Sequence, residues 1–225
     1  MTRRLRIEWR PGLKVTAQLA VPERHVGPAI LLAHGAGAGQ DHPFMAGVRN
    51  RLAAAGHLTM TFDYPYIEGG RRAPDRSEVL LACHRAALAR LARYDRRVVL
   101  AGKSMGGRMA SHLAAFDAST VGLVYYGYPL VPPGKSEPRA TDHLEAIAAP
   151  MLFVTGTRDR LAPLGLLEAL VGRLRWASLH RVPEADHSFR VPKRLGVGEG
   201  DVLDGLVSAT VRWMTEGGLR PEMPS

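Results

Sequence analysis

The sequence predicts an α/β fold: a mostly parallel central sheet with helices on both faces and an antiparallel hairpin at its N-terminal edge. Three observations carry that expectation. Short, nearly all-apolar runs alternate with amphipathic stretches, as strands buried on both faces do when helices connect them. Two β-rich segments flank Pro11-Gly12 near the start of the chain. The apolar run Val98–Ala101 passes directly into Gly102-Lys103-Ser104-Met105-Gly106-Gly107, with a helix-forming segment behind it.

Taken in order, Arg4–Trp9 and Lys14–Val21 form the hairpin. Ala29–Ala33, Leu58–Phe62, Val98–Ala101, Val121–Tyr126 and Met151–Thr155 are the apolar strands, and Ser178–Val182 is a further strand-like run. Helix candidates lie at Pro43–Ala55, Asp75–Arg93, Met105–Ala115, Leu164–Arg173 and Val202–Met214. Asp75 and Glu78 are spaced as a capping box, and Leu80, Ala87, Leu88 and Leu91 then recur at helical spacing. Asp201 caps the last helix, whose Leu203, Leu206, Val207, Thr210, Val211 and Met214 form one stripe. Pro129–Pro138 reads as a loop, followed by one short helix near Asp142–Ala148. No repeat, low-complexity tract or long linker divides the chain, so a single domain over residues 1–225 is expected.

At 225 residues such a domain buries roughly 70–75% of the surface of its unfolded chain. Hydrophobic residues are 46% and charged residues 23%, the balance of a globular protein rather than a disordered one. No apolar run approaches the ~18–20 residues a membrane-spanning helix needs. The first ten residues carry charge throughout, which leaves no apolar core for a signal peptide. The single cysteine, Cys83, rules out an intramolecular disulfide and reads as a small core residue. Cytoplasmic location, no membrane partner and a monomer or homodimer are the expectations.

The net charge of +9 raises the question of nucleic acid. The excess is arginine scattered along the chain, from Arg3, Arg4 and Arg6 to Arg173, Arg175 and Arg194, with no binding motif or interleaved aromatic platform. A solvated basic surface, rather than a specific nucleic-acid site, is the expectation.

The chemistry centres on Ser104. Glycines two before and two after it suit a sharp, strained strand-to-helix turn that points the hydroxyl outward at a helix N-terminus. A serine hydroxyl needs a base to take its proton, and the base needs an orienting partner. Asp159 follows the strand Met151–Thr155, in Gly156-Thr-Arg-Asp-Arg-Leu-Ala-Pro163. His187 follows Ser178–Val182, in Glu184-Ala-Asp-His-Ser-Phe189. Both loops fall at the rim where open α/β sheets bind ligands, and the order serine, acid, histidine is associated with that architecture. The strand Ala29–Ala33 opens into His34-Gly-Ala-Gly-Ala-Gly39, a loop whose backbone N–H groups can approach an oxyanion closely. His34 is expected to fix this loop by hydrogen bonding.

Two phosphate-binding motifs are absent. A P-loop ending at Gly102-Lys103-Ser104 needs glycine where Arg97 stands, and Gly35, Gly37 and Gly39 fail the dinucleotide pattern because position 40 is glutamine. The remaining histidines show no ligand spacing with Cys or carboxylates, so neither metal nor cofactor is expected. Asp186 reads as a loop-stabilising residue. Asp63 either borders the pocket or serves its turn. Tyr64, Tyr66, Tyr126 and Tyr128 either line a pocket or pack with their hydroxyls in water. Lys103 and Arg108 either meet an anionic substrate or lie on solvated faces, the latter preferred.

Taken together, Gly-Lys-Ser-Met-Gly-Gly after a strand, Gly-Thr-Arg-Asp-x-x-Ala-Pro and Ala-Asp-His-Ser-Phe resemble the α/β-hydrolase superfamily, over nearly the whole chain. The pattern is most similar to the small, lidless bacterial hydrolases near the dienelactone hydrolases, which themselves carry cysteine where this chain has Ser104. The resemblance implies Ser104 as nucleophile, His187 as base and Asp159 as orienting acid, with the N–H groups of Met105 and Ala36 as oxyanion donors. Larger relatives place a lid before the acid-bearing strand, where this chain has only Pro129–Pro150. An open, shallow pocket for small carboxylic esters or thioesters is therefore expected. The alternatives are a non-catalytic binding or scaffold module, and a serine peptidase or amidase using the same residues.

Overall fold

The computed structural model describes residues 1–116 and 119–219; the other positions of the expected 1–225 domain lie outside the described residues. Eight strands form one sheet: β1 (Thr2–Arg10), β2 (Leu13–Ala20), β3 (Ala29–Ala33), β4 (Thr59–Phe62), β5 (Val98–Lys103), β6 (Gly122–Tyr126), β7 (Met151–Gly156) and β8 (Ala177–Val182). Their spatial order is β1-β2-β4-β3-β5-β6-β7-β8. The β1–β2 and β2–β4 pairs are antiparallel and all others parallel. β1 and β8 are the two edges, and β1 exposes most of its residues.

The apolar strands bury both faces because alternate residues point to opposite sides. Leu31, Leu100, Leu123 and Phe153 join one core with Leu80, Cys83, Ala87 and Leu91 of α3 (Ser77–Leu91). The same core takes Met109 and Leu113 of α4 (Met105–Phe116) and Leu167 and Leu170 of α5 (Leu164–Arg173). Ile30, Leu32, Val99, Val124 and Val154 face the other core, under α1 (Pro43–Ala54) and α6 (Glu199–Thr215). A four-residue helix, α2 (Pro65–Glu68), which apolar periodicity does not signal, follows β4. After β3 the chain steps to β4 on one side and returns to β5 on the other, so the direction of winding reverses between β3 and β5. Crevices open at the carboxyl ends of strands at such a reversal.

Three local expectations are corrected. Asp75 does not cap α3; the helix starts at Ser77 with no side-chain cap, and Asp75 pairs instead with Arg71 at 2.7 Å. α6 begins at Glu199, before Val202, and Asp201 works from inside its first turn, its Oδ2 accepting the Gly198 N–H at 2.9 Å. The segment near Asp142–Ala148 holds only a 3-10 turn, Asp142–Leu144. Among the described residues, no helix is long and apolar enough to cross a membrane.

Candidate active site

β5 ends at Lys103 and α4 begins at Met105, so Ser104 alone makes the turn. It does so at φ +50°, a left-handed conformation that costs a non-glycine residue about 1–2 kcal/mol. Its N–H donates to the Tyr126 carbonyl at the end of β6, 3.0 Å away. The flanking glycines are there for space: a Cβ on Gly102 would lie 2.2 Å from the Gly107 nitrogen.

Asp159 stands three residues beyond β7, buried at 4% exposure. Its Oδ1 accepts the Leu161 and Ala162 N–H groups at 2.8 and 3.1 Å. Its Oδ2 lies 2.8 Å from His187 Nδ1, and His187 Nε2 lies 2.9 Å from Ser104 Oγ. A carboxylate only accepts, so Nδ1 carries the ring proton and Nε2 is left to accept from the serine. The loop after β8 that carries His187 packs on the end of β7, where a Cβ on Gly156 would meet the Ala185 carbonyl oxygen at 2.2 Å. Asp186 Oδ1 accepts the Ser188 and Arg190 N–H groups at 2.8 and 2.9 Å, a loop-stabilising role as expected.

The glycine-rich loop after β3 is held from beneath. The Tyr64 N–H donates to His34 Nε2 at 3.1 Å, so the proton sits on Nδ1, which donates to the Gly35 carbonyl at 2.8 Å. Burial holds the His34 pKa down, which keeps the ring neutral for this double duty. Tyr66 Oη accepts the Gly37 N–H at 3.3 Å and donates to the Gly35 carbonyl at 3.4 Å. Asp63 serves the loop rather than the pocket, its two oxygens accepting the backbone and side-chain N–H groups of Gln40, both at 2.8 Å. Among the described residues, the N–H groups of Ala36 and Met105 donate to no protein acceptor.

Residues 27–215 match the model of the alpha/beta hydrolase domain. The chain belongs to that family. Its fold is shared with a dienelactone hydrolase from Anabaena variabilis, at a TM-score of 0.76 and 21% identity over 96% of this chain and 97% of that one. An α/β serine hydrolase without a lid from Xanthomonas campestris superposes at a TM-score of 0.69 and 16% identity, covering 99% and 97%. An alpha-beta serine hydrolase homologue from Coxiella burnetii does so at 0.72 and 16%, covering 92% and 96%. Family membership supports hydrolase activity.

Several side chains of this hydrolase behave differently from their sequence reading. Lys103 is not on a solvated face: the residue is partly buried at the border of the cavity beside Ser104, and its Nζ turns inward and donates to the His187 carbonyl at 2.6 Å. None of the four tyrosines borders the cavity beside Ser104, and their hydroxyls are bonded within the protein. All are buried, and their hydroxyls pair with His84 (Tyr64), the Gly35–Gly37 loop (Tyr66), Thr210 (Tyr126) and Ser111 (Tyr128). A cavity of about 340 Å³ beside Ser104 and His187 is bordered instead by Ala36, Ala38, Phe44, Met45, Pro133 and Leu161. Gly127, at φ +69°, also goes unnoticed in the sequence; a Cβ there would lie 3.2 Å from Lys103 Nζ and 3.4 Å from Asp159 Oδ2 and His187 Cε1. Cys83 is buried in the core as expected. Among the described residues, no three His, Cys, Asp or Glu side chains converge to hold a metal ion.

Proposed function

We propose that the protein is a serine hydrolase acting on carboxylic esters or thioesters of small, accessible substrates through an acyl-enzyme. The observation that carries this reading is the continuous hydrogen-bonded line from Ser104 Oγ through His187 to Asp159, at 2.9 and 2.8 Å. His187 Nε2 takes the hydroxyl proton as Oγ bonds to the acyl carbon. The unpaired N–H groups of Ala36 and Met105 receive the developing oxyanion, and losing one such donor typically costs ~10²–10³ in rate. As the acyl–oxygen or acyl–sulfur bond breaks, His187 returns the proton to the leaving alcohol or thiol. Water, activated by the same histidine, then releases the acid and frees Ser104.

The pocket sets the substrate size. At about 340 Å³ it lies near the lower end of small-molecule sites. The segment between β6 and β7, where a lid would stand, holds only the 3-10 turn. Labelling by a fluorophosphonate probe, with Ser104→Ala as the control, tests the reading. Labelling of the wild type that disappears in the variant is expected. A wild type that does not react would point to a hydrolase fold used only for binding, and a preference for peptides over esters would move the activity to an amidase.

A further inference from the structure

We propose that Lys103 is a positioning residue that holds His187 in line with Ser104 by tying the histidine's own backbone to the nucleophile turn. The proposal rests on the serine-hydrolase reading of the site. Lys103 and Ser104 are consecutive, and they grip the same residue at two points. Ser104 Oγ meets the imidazole Nε2 at 2.9 Å, and Lys103 Nζ meets the His187 main-chain carbonyl at 2.6 Å. Asp159 fixes the orientation of the ring; Lys103 fixes the backbone from which the ring hangs.

That backbone needs holding. The loop bends through two non-glycine residues in the left-handed region, Glu184 at φ +57° and Phe189 at φ +62°. Phe189 stacks on Phe44 at the start of α1, with ring centroids 5.8 Å apart and planes 12° from parallel. The Lys103 ammonium lies 5.3 Å from the Phe189 centroid and 5.9 Å from that of Phe44, within cation–π range of both. One cation thus joins the strand end, the histidine loop and the first turn of α1.

Burial makes a charge costly in this position. Asp159 and Asp186 attract it, yet burial outweighs them and brings the ammonium pKa down to about 8. The other titratable groups around it are His187 itself, His42 on the same cavity, and Tyr126, paired in register with Lys103 but hydrogen-bonded to Thr210. Replacing the lysine alone takes the donor from the His187 carbonyl, so an apolar substitution carries the ordinary cost of one lost hydrogen bond. The charge makes the bond to the His187 carbonyl stronger than a neutral amine could.

The test compares wild type, Lys103→Met and Lys103→Arg, reading fluorophosphonate labelling rate, ester kcat and KM, and thermal stability across a pH series. Lys103→Met is expected to melt somewhat lower than wild type, as the loss of one hydrogen bond implies. At temperatures where both are folded it should react about 10- to 100-fold more slowly, the scale of a displaced catalytic base. The loss should fall on kcat, with KM for a neutral ester within about twofold. Wild-type labelling should decline above pH 8 as the ammonium loses its proton, while the Arg variant, which stays charged, should keep most of the rate without that decline. A Met variant that reacts at the wild-type rate overturns the proposal, as does a change confined to KM, which would make Lys103 a substrate contact. If the Met variant does not fold, an identical alkaline decline in wild type and Lys103→Arg overturns it. Absence of any Ser104-dependent labelling in the wild type overturns the reading beneath it instead.

Discussion

Gly106 lies so close to Ala33 that a Cβ on it would sit 2.3 Å from the Ala33 carbonyl oxygen. The first turn of α4 therefore rests directly on the end of β3, where the chain departs toward Ala36. This backbone-to-backbone contact fixes the separation of the two proposed oxyanion donors. Gly106→Ala must push the helix away, since backbone cannot yield as a side chain tip does. A stability loss of about 1–3 kcal/mol is expected from overpacking, with labelling of Ser104 slowed far more than the stability change alone implies. Urea denaturation and probe kinetics on the same preparation check both.

Tyr66 holds the glycine-rich loop after β3, the proposed oxyanion loop, without bordering the cavity. Tyr66→Phe removes the acceptor of the Gly37 N–H and the donor to Gly35 together. The stability cost should be about 1–3 kcal/mol, since two hydrogen bonds go and the Gly37 N–H is left without its acceptor. Ester kcat should fall about tenfold, because the effect falls where charge develops in the transition state. An unchanged kcat would separate this loop from catalysis.

Gly127→Ala probes the space around the candidate triad. The new methyl would press on Lys103, Asp159 and His187 at once, on a left-handed backbone. About 1–2 kcal/mol of conformational cost is expected, together with a fall in kcat. Melting and steady-state kinetics read the two effects separately.

Acid should weaken the fold through His84. Its ring is wholly buried, shares a 3.0 Å hydrogen bond with the Tyr64 hydroxyl, and leaves Nε2 without a partner. Burial, helped by nearby His34, lowers its pKa from 6.5 to about 3. The unfolded chain therefore binds the proton first, so stability is intact above pH 6.5 and falls as pH drops toward 3. The slope from this one group is up to about 1.4 kcal/mol per pH unit. The double variant Tyr64→Phe/His84→Leu removes both partners and should be close to neutral near pH 7, with a shallower acid limb in urea titrations.

Among p-nitrophenyl esters, acetate and butyrate should turn over faster than palmitate. The cavity is small, and the segment between β6 and β7 lends it only Pro133 and holds no helix beyond a 3-10 turn. A kinetic series across chain length measures this directly, and a preference for palmitate would contradict the pocket.

The strands and the candidate site were legible because their signals are local. Val98–Ala101 announces a buried strand, and the glycines around Ser104 announce a turn that no larger residue could make. Asp159 and His187 each follow their strand within a few residues, so alignment of strand ends brings them together. What escaped depends on distant partners. The Lys103 ammonium is buried against a carbonyl 84 residues away, and no spacing reveals that. Asp75 has the residue type and spacing of a cap, but Arg71, on the turn before it, holds the carboxylate. The tyrosines follow strands at the rim that carries the candidate site, yet each finds a hydrogen-bond partner inside the protein, as with Tyr126 and Thr210 84 residues apart.

The edge at β1 carries part of the arginine excess. Its unpaired rim is a template onto which another extended chain could add, a standing hazard for any sheet that does not close. Arg3, Arg4 and Arg10 stand exposed along it. A second copy approaching edge to edge would bring two strands together that each carry these arginines against a single exposed carboxylate, Glu8. Such a concentration of like charge disfavours edge-to-edge pairing, and the effect weakens as salt screens it.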